Sequence, residues 1–216
     1  MISEKTQRQT HLIICVADGF IAGFSVMQFA GRMATAITSN MVSSITNLIG
    51  AKFEALAVTA SVVLAYVLGL LLPALYAGIF RKDRRRFPLI VSFIACVIAA
   101  LLMQFKPGDL EYYLMFFMAA LHYNSFTTID GKHVATVFAT NNTRQTINGY
   151  VDYIFKKDEG QKRHAWIYFR CLIHFLGGAG IAAACYLFMN IYANLILLVL
   201  YAVTFIMLKP QKTAEA

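Results

Sequence analysis

Asp18, Arg170 and His174 are ionisable residues inside apolar stretches of the sequence. Asp18 lies about seven residues into the apolar stretch 11–30, so it is about 10 Å below a membrane interface at a helical rise of about 1.5 Å per residue. A carboxylate at this depth is costly unless it is paired, hydrated or protonated, and it indicates a functional site by default. The alternative for Asp18 is a structural hydrogen bond to a neighbouring helix.

Arg170 and His174 are four residues apart, so they share one face of a helix. Arg170 is close to the end of its apolar stretch, where its side chain could reach the interface. His174 is deeper and could relay protons with Asp18. The alternative for His174 is a core residue whose ring nitrogens are satisfied by hydrogen bonds.

Two Thr- and Asn-rich segments contrast with the apolar remainder: AITSNMVSSITNLIG (36–50) and FATNNTRQTINGYVDYIF (138–155). Polar backbone at membrane depth is tolerated only when it is buried in protein or lines a water-filled cavity. We therefore predict two re-entrant or half-helix segments that face each other across a central polar chamber, with Asn40 and Asn142 lining it. The alternative is a pair of amphipathic helices lying flat at the two interfaces.

The elements that must position these residues are membrane spans. The chain is 59% hydrophobic and 14% charged, with a mean hydropathy of +0.61, which is outside the range of soluble domains. A spanning helix needs about 20 apolar residues. The sequence therefore predicts an all-α integral membrane protein with about six transmembrane helices, at 11–30, 56–80, 87–105, 110–128, 165–189 and 191–208. The first stretch is too long for a signal peptide and contains Asp18, so we expect it to be retained.

The net charge of +8 would suggest a nucleic-acid partner on a soluble protein. Here the basic loops 81–86 and 156–163, the N-terminus and a tail with Lys209 and Lys212 follow the positive-inside rule. This pattern predicts both termini in the cytoplasm of a bacterial inner (plasma) membrane. The expected partners are then the lipid bilayer and a small solute, and no nucleic acid.

The single transmembrane domain, residues 1–216, divides into two similar halves, 11–105 and 110–208. Each half runs as an apolar helix, a polar Thr/Asn segment and two further apolar helices. Because three helices per half bring the second half into the membrane from the opposite side, the order predicts an inverted repeat. Many secondary transporters have this architecture.

Two groups of motifs, DGFIAGF…ITSN in the first half and YN…VATVFATNNTRQ in the second, resemble those of the YoaK-like family. This family consists of six-helix bacterial membrane proteins and is described as a domain of unknown function. The chain departs from the family pattern at Ser39 and Asn141, where the family has Gly, and at Tyr123, where it has Gln. The resemblance implies motif positions at Asp18, Thr38, Asn40, Asn124, Thr136, Thr140 and Arg144.

The sequence carries no H-E-x-x-H or G-x-S-x-G motif, so we expect no enzyme. Its four cysteines form no C-x-x-C pair, and we expect no metal and no cofactor. The predicted function is a transporter or permease for a small polar solute, with a channel or a membrane sensor as alternatives and a homodimer as an open option. The expected solute-binding residues are Asp18, Thr38, Asn40, Asn124, Thr136, Thr140, Asn142, Arg144 and His174.

Overall fold

The apolar stretches of the sequence fold into long helices. The structure is a computed structural model, and it describes residues 3–80, 85–105 and 109–208. Its helices are α1 (Glu4–Gln28), α2 (Ile37–Ile49), α3 (Phe53–Phe80), α4 (Arg86–Phe105), α5 (Asp109–Ser125), α6 (Ala139–Lys156), α7 (Glu159–Met189) and α8 (Ile196–Met207). A short 3-10 helix, Asn190–Leu195, joins α7 to α8.

A helix occupies each apolar stretch, with shifted boundaries. The first helix begins at Glu4, where the Ser3 side chain accepts a hydrogen bond from the Thr6 amide and so caps the helix. Within the described residues, four helical segments are long and apolar enough to cross a membrane: Glu4–Gln28, Phe53–Phe80, Arg86–Phe105 and Glu159–Met207, the last holding both α7 and α8. The architecture is that of an all-helical membrane protein.

One small β-hairpin interrupts the otherwise helical chain. The predicted fourth span runs to residue 128, but α5 ends at Ser125, and β1 (Thr128–Ile129) then pairs antiparallel with β2 (Lys132–His133). The two turn residues, Asp130 and Gly131, both have positive φ. A two-residue hairpin turn of this kind requires that conformation, and Asp-Gly is one of the pairs that adopt it most readily.

Helices α1 and α7 form a close pair. A Cβ atom on Gly19 would lie 1.8 Å from the carbonyl oxygen of Phe175, and one on Gly23 would lie 2.5 Å from that of Ala179. Both contacts advance by four residues along each helix, so α1 and α7 run parallel. Small residues permit such backbone approach in membrane helices.

Helices α3 and α5 form a second close pair. A Cβ atom on Gly69 would lie 2.5 Å from the carbonyl oxygen of Phe117. The side chain of Asn124 donates a hydrogen bond to the carbonyl oxygen of Leu70. Helix α4 packs beside α5 and α8, and α8 also packs on α1, so the two close pairs are joined through α4 and α8.

Two ion pairs identify the ends of the bundle. Arg8, in the first turns of α1, lies 2.5 Å from Asp130 in the hairpin. Arg32, just after α1, lies 3.0 Å from Asp109 at the start of α5. Helices α1 and α5 therefore run antiparallel. We call the end with Arg8 and the hairpin the hairpin end, and the end with Arg32 and Asp109 the opposite end.

The two Thr/Asn-rich segments form helices α2 and α6 at opposite ends of the bundle, which differs from the expected shared chamber. Helix α2 packs on α3, and α6 packs on α7. Helix α6 buries Asn142, Thr146 and Gly149, whereas the corresponding polar stripe of α2 is only half-buried. Both helices leave apolar side chains exposed: Met41, Val42, Ile45 and Ile49 in α2, and Ile147, Val151, Ile154 and Phe155 in α6. This arrangement corresponds to the alternative of two amphipathic helices, because such a helix presents its apolar face to lipid.

Several basic residues of the predicted topology lie outside the described residues. They are residues 81–84 of the RKDRRR loop, Lys106, and Lys209 and Lys212 of the tail.

Candidate functional site

Asp18 lies at the centre of the bundle and is hydrogen-bonded to a histidine of α5. Its Oδ1 atom is 2.6 Å from Nδ1 of His122. The other ring nitrogen of His122, Nε2, is 3.0 Å from the hydroxyl of Ser92 in α4. All three side chains are fully buried. We call Asp18, His122 and Ser92 the polar triad.

The polar triad connects three helices through one imidazole, since α1, α4 and α5 each supply one member. An ionised carboxylate only accepts hydrogen bonds, so with Asp18 ionised the Nδ1–H of His122 donates to it. In neutral His122 the Nε2 atom then accepts the hydroxyl proton of Ser92. A further proton can lie on the imidazole, where both ring nitrogens then donate, or on Asp18, which then donates to Nδ1 while Nε2–H donates to Ser92. The triad can therefore hold a proton at two places inside the bundle.

One carboxylate oxygen of Asp18 is not engaged by the triad. Oδ2 is buried and has no hydrogen-bond partner within the described residues. Buried polar atoms in proteins nearly always have a partner. The open oxygen is therefore a place where a water molecule or the polar group of a solute would be stabilised.

A cavity of about 430 Å³ lies at the hairpin end. Its wall includes Tyr123 and Asn124, which directly follow His122 in α5, and also His133, Phe138 and Asn141. Tyr66 of α3 lies within electrostatic range of both Asp18 and Tyr123. The volume falls in the range of about 300–1,000 Å³ that small-molecule sites occupy.

Two further predicted site residues, Thr136 and Asn142, directly follow cavity-lining residues in the sequence and are each 1% exposed. The amide of Asn142 donates to the carbonyl oxygen of Ala135 at 2.8 Å. The hydroxyl of Thr136 and Oδ1 of Asn142 have no hydrogen-bond partner in the part of the chain that the structure describes. Asn124 therefore lines the cavity, whereas Thr136 and Asn142 are buried next to residues that line it.

The other predicted residues lie elsewhere. Thr38 and Asn40 are in the first turn of α2 at the opposite end, where Asn40 donates to the carbonyl oxygen of Ala36. Thr140 and Arg144 are exposed on α6, and Arg144 donates to Oδ1 of Asn141 at 3.2 Å. The structure thus does not bring the two Thr/Asn segments into one site.

His174 is not the partner of Asp18. Its Nδ1 atom lies 2.7 Å from the carbonyl oxygen of Arg170, one turn earlier in α7, and its side chain is half-buried. The prediction of a relay between His174 and Asp18 is wrong, because α5 presents His122 to the carboxylate at hydrogen-bond distance.

His122 and Ser92 were missed by the sequence reasoning. His122 stands in an apolar run two residues before Asn124, in LHYNS (121–125), so an ionisable residue at membrane depth was a usable signal. Nothing in the sequence indicates a role for Ser92, because the hydroxyl of a single serine in an apolar helix usually bonds to a carbonyl oxygen of its own helix.

The fold and the triad define an all-helical membrane protein with a buried ionisable network. The model of the family described as "Protein of unknown function (DUF1275)" matches residues 10–207, and the chain belongs to this family. No curated protein and no solved structure matches the chain.

Proposed function

We propose that the protein is a proton-coupled transporter of a small polar solute. The observation that carries the proposal is the fully buried contact of 2.6 Å between Asp18 and His122. Ionisable residues inside a membrane protein are expensive to bury and typically mark proton relays and solute pathways. Asp18 and His122 are the proton-carrying groups of this proposal, and the cavity beside Asn124 and Asn141 receives the solute.

A sequence repeat supports an inverted-repeat architecture for this transporter. ATAITSN (34–40) leads into α2, and ATVFATN (135–141) leads into α6. The paired residues Ala34 and Ala135, and Thr35 and Thr136, are all buried. Corresponding segments thus have the same local role in the two halves.

The helix packing supports the same interpretation. An inverted repeat would relate α1 to α5, α2 to α6, α3 to α7 and α4 to α8. Under this relation, the contact between α1 and α7 corresponds to the contact between α5 and α3. The contact between α2 and α3 corresponds to that between α6 and α7, and the contact between α1 and α8 corresponds to that between α5 and α4. All of these pairs are in contact, as two halves with inverted topology require.

The hairpin end faces the cytoplasm in this proposal. Among the described residues, the loops and helix ends there carry a cluster of basic side chains, including Arg8, Lys132, Lys156, Lys162 and Arg163. At the opposite end the described loops carry Arg32 and Lys52. Cytoplasmic loops carry the excess of Lys and Arg. The six long helices would then place both termini in the cytoplasm.

The triad distances favour one second candidate, an intramembrane hydrolase. A carboxylate, an imidazole and a serine hydroxyl in this order form the catalytic set of many hydrolases. Ser92 is 0% exposed, however, and a nucleophile must reach its substrate. A serine-directed fluorophosphonate distinguishes the two candidates. The transporter proposal expects no labelling of Ser92, and labelling that disappears in Ser92→Ala would establish the hydrolase instead.

A ligand screen tests the transporter proposal. The purified protein is heated with each member of a library of small polar metabolites, because a ligand that binds the folded state raises its melting temperature by mass action. A bound metabolite should be carried into proteoliposomes with saturable kinetics. Asn124→Ala should weaken the thermal shift, since Asn124 lines the cavity.

Thr38→Ala is the matched control. Thr38 is exposed on α2 at the opposite end, so this variant should respond to the metabolite as the wild type does. Uptake that rises linearly with concentration would show a channel rather than a carrier. A protein that binds a metabolite but does not move it into proteoliposomes would be a sensor, and both results would contradict the proposal.

A further inference from the structure

A second buried cluster lies between α1 and α7, closer to the hairpin end than the polar triad. His11 and Cys15 are one turn apart on α1, and Cys171 lies opposite them on α7. Their ligand atoms, a ring nitrogen and two sulfurs, lie within 4.8 Å of one another. All three residues are buried, with exposures of 1%, 0% and 0%. The polar triad and the solute cavity use none of them.

His11 points to a missing ligand. Within the described residues neither ring nitrogen has a well-aligned hydrogen bond, although the side chain is 1% exposed and the Cys171 thiol lies close enough to interact with the ring. A neutral imidazole carries one donor and one acceptor, and burying both without partners is unfavourable. A group that engages this ring beside two thiols would remove the penalty.

We propose that His11, Cys15 and Cys171 bind a thiophilic divalent metal ion, with Zn²⁺ as the expected occupant. Thiolate and imidazole ligands suit zinc, whereas magnesium and calcium prefer oxygen. Zinc lies about 2.3 Å from sulfur and about 2.0–2.1 Å from nitrogen. In a tetrahedral site two such sulfurs lie about 3.8 Å apart. The observed spacing, within 4.8 Å, closes to this value by side-chain shifts of at most about 1 Å.

Charge balance favours a divalent ion at this place. Cys15 and Cys171 pack with the apolar side chains of Leu12, Ile129 and Val134, where a net charge would be costly. Binding replaces the two thiol protons, which leave to solvent, and forms two metal–sulfur bonds and one metal–nitrogen bond. Two thiolates, a neutral imidazole and Zn²⁺ sum to zero charge. The fourth position of the ion stays open to water.

A path for the ion leads from the hairpin end. A polar cavity of about 270 Å³ there is lined by Lys132, Asp152, His164 and Tyr168, among others. Tyr168 also packs in the cluster that contains Cys15 and Cys171. Its ring therefore separates the cavity from the ligand set. The metal site does not depend on the transport proposal, because it shares no residue with the triad.

Cobalt titration tests the site, since Co²⁺ occupies zinc sites and its thiolate bonds absorb in the near ultraviolet. The full chain, reduced and reconstituted in lipid nanodiscs, should bind one Co²⁺ with a thiolate-to-cobalt charge-transfer band, and Zn²⁺ should displace it. Cys15→Ser and Cys171→Ser should each remove or strongly reduce the band. His11→Gln should weaken binding by at least about tenfold, because the loss of even an outer partner of a metal ligand has effects of that size.

The other two cysteines provide the control. The double variant Cys96→Ser/Cys185→Ser leaves Cys15 and Cys171 as the remaining thiols of a chain with four cysteines, and it should keep the wild-type band. If a site variant fails to fold, the double variant alone decides the question. If neither the wild-type protein nor the double variant shows the band, the proposal is wrong. The proposal is also wrong if a folded Cys15→Ser variant keeps the band.

Discussion

The two close helix pairs, α1 with α7 and α3 with α5, are built alike but carry different chemistry. Both depend on glycine at the crossing, at Gly19 in the first pair and at Gly69 in the second. The first pair encloses the ring of His11 and two thiols. In the second pair, the hydrogen bond from Asn124 to the carbonyl oxygen of Leu70 is a neutral contact.

The two helix pairs are packed in the same way but differ in the side chains that they bring together. Glycine crossings allow the backbones to approach in both pairs, because membrane helices associate through packing rather than through the hydrophobic effect. The ionisable groups concentrate on α1, and α5 contributes His122 as the one contact that joins the pairs through Asp18. The structure thus combines a scaffold repeated in both halves with chemistry that is not repeated.

Loss of the Asp18 carboxylate should have the largest effect on stability. Asp18→Ala leaves Nδ1 of buried His122 without its partner, and an unsatisfied buried polar group costs about 1–3 kcal/mol, more when a charged group is involved. Asn124→Ala, in the other helix pair, removes a neutral hydrogen bond and should cost about 1 kcal/mol. Thermal or denaturant unfolding in detergent measures both. Equal losses of unfolding free energy in the two variants would contradict the distinction between an ionisable contact in one place and a neutral contact in the other.

A second substitution checks the assignment of the partner. Asp18→Ala combined with His122→Leu should recover much of the lost stability, because no imidazole is then left without its carboxylate, and the hydroxyl of Ser92 can bond to a carbonyl oxygen of its own helix. Combining Asp18→Ala with a change at His174 should give no such recovery, since His174 bonds to the carbonyl oxygen of Arg170 instead.

Glycine substitutions should rank next and should separate the two crossings. Gly19→Ala would place its Cβ 1.8 Å from the carbonyl oxygen of Phe175, whereas Gly69→Ala would place it 2.5 Å from that of Phe117. Overpacking of this kind costs about 1–3 kcal/mol, and we expect the larger loss for Gly19→Ala. Gly177→Ala is the control, because its Cβ meets nothing within 4 Å. A loss of stability in Gly177→Ala as large as in Gly19→Ala would contradict the crossing geometry.

The surface ion pair at the hairpin end should have the smallest effect. Arg8 and Asp130 are 42% and 27% exposed at their side chains, and exposed pairs contribute about 0–1 kcal/mol. Arg8→Ala should therefore change the melting temperature little, and high salt should shrink the difference further. A loss comparable to that of Asp18→Ala would show that the hairpin controls the packing of α1.

The sequence predicted the helices and singled out Asp18, because both follow from hydropathy and charge alone. The structure has helices in the predicted stretches, and four helical segments of the described residues are long and apolar enough to cross a membrane. The site was predicted only partly. The periodicity of α2 and α6 indicates a polar stripe on each, but it does not say which neighbour buries that stripe. The partner of Asp18 depends on how α1 and α5 cross, which hydropathy does not encode, so His174 was chosen and His122 was missed.

The central claim is that Asp18 couples a proton to movement of the solute. The most direct measurement is uptake of the metabolite found in the thermal screen, by proteoliposomes with and without a proton gradient, for wild type and Asp18→Asn. The amide keeps the shape of the side chain and its hydrogen-bonding capacity while removing its charge. Asp18→Asn should still exchange labelled for unlabelled solute but should fail to accumulate solute when the gradient is applied. Gradient-driven accumulation at the wild-type level in Asp18→Asn would contradict the account.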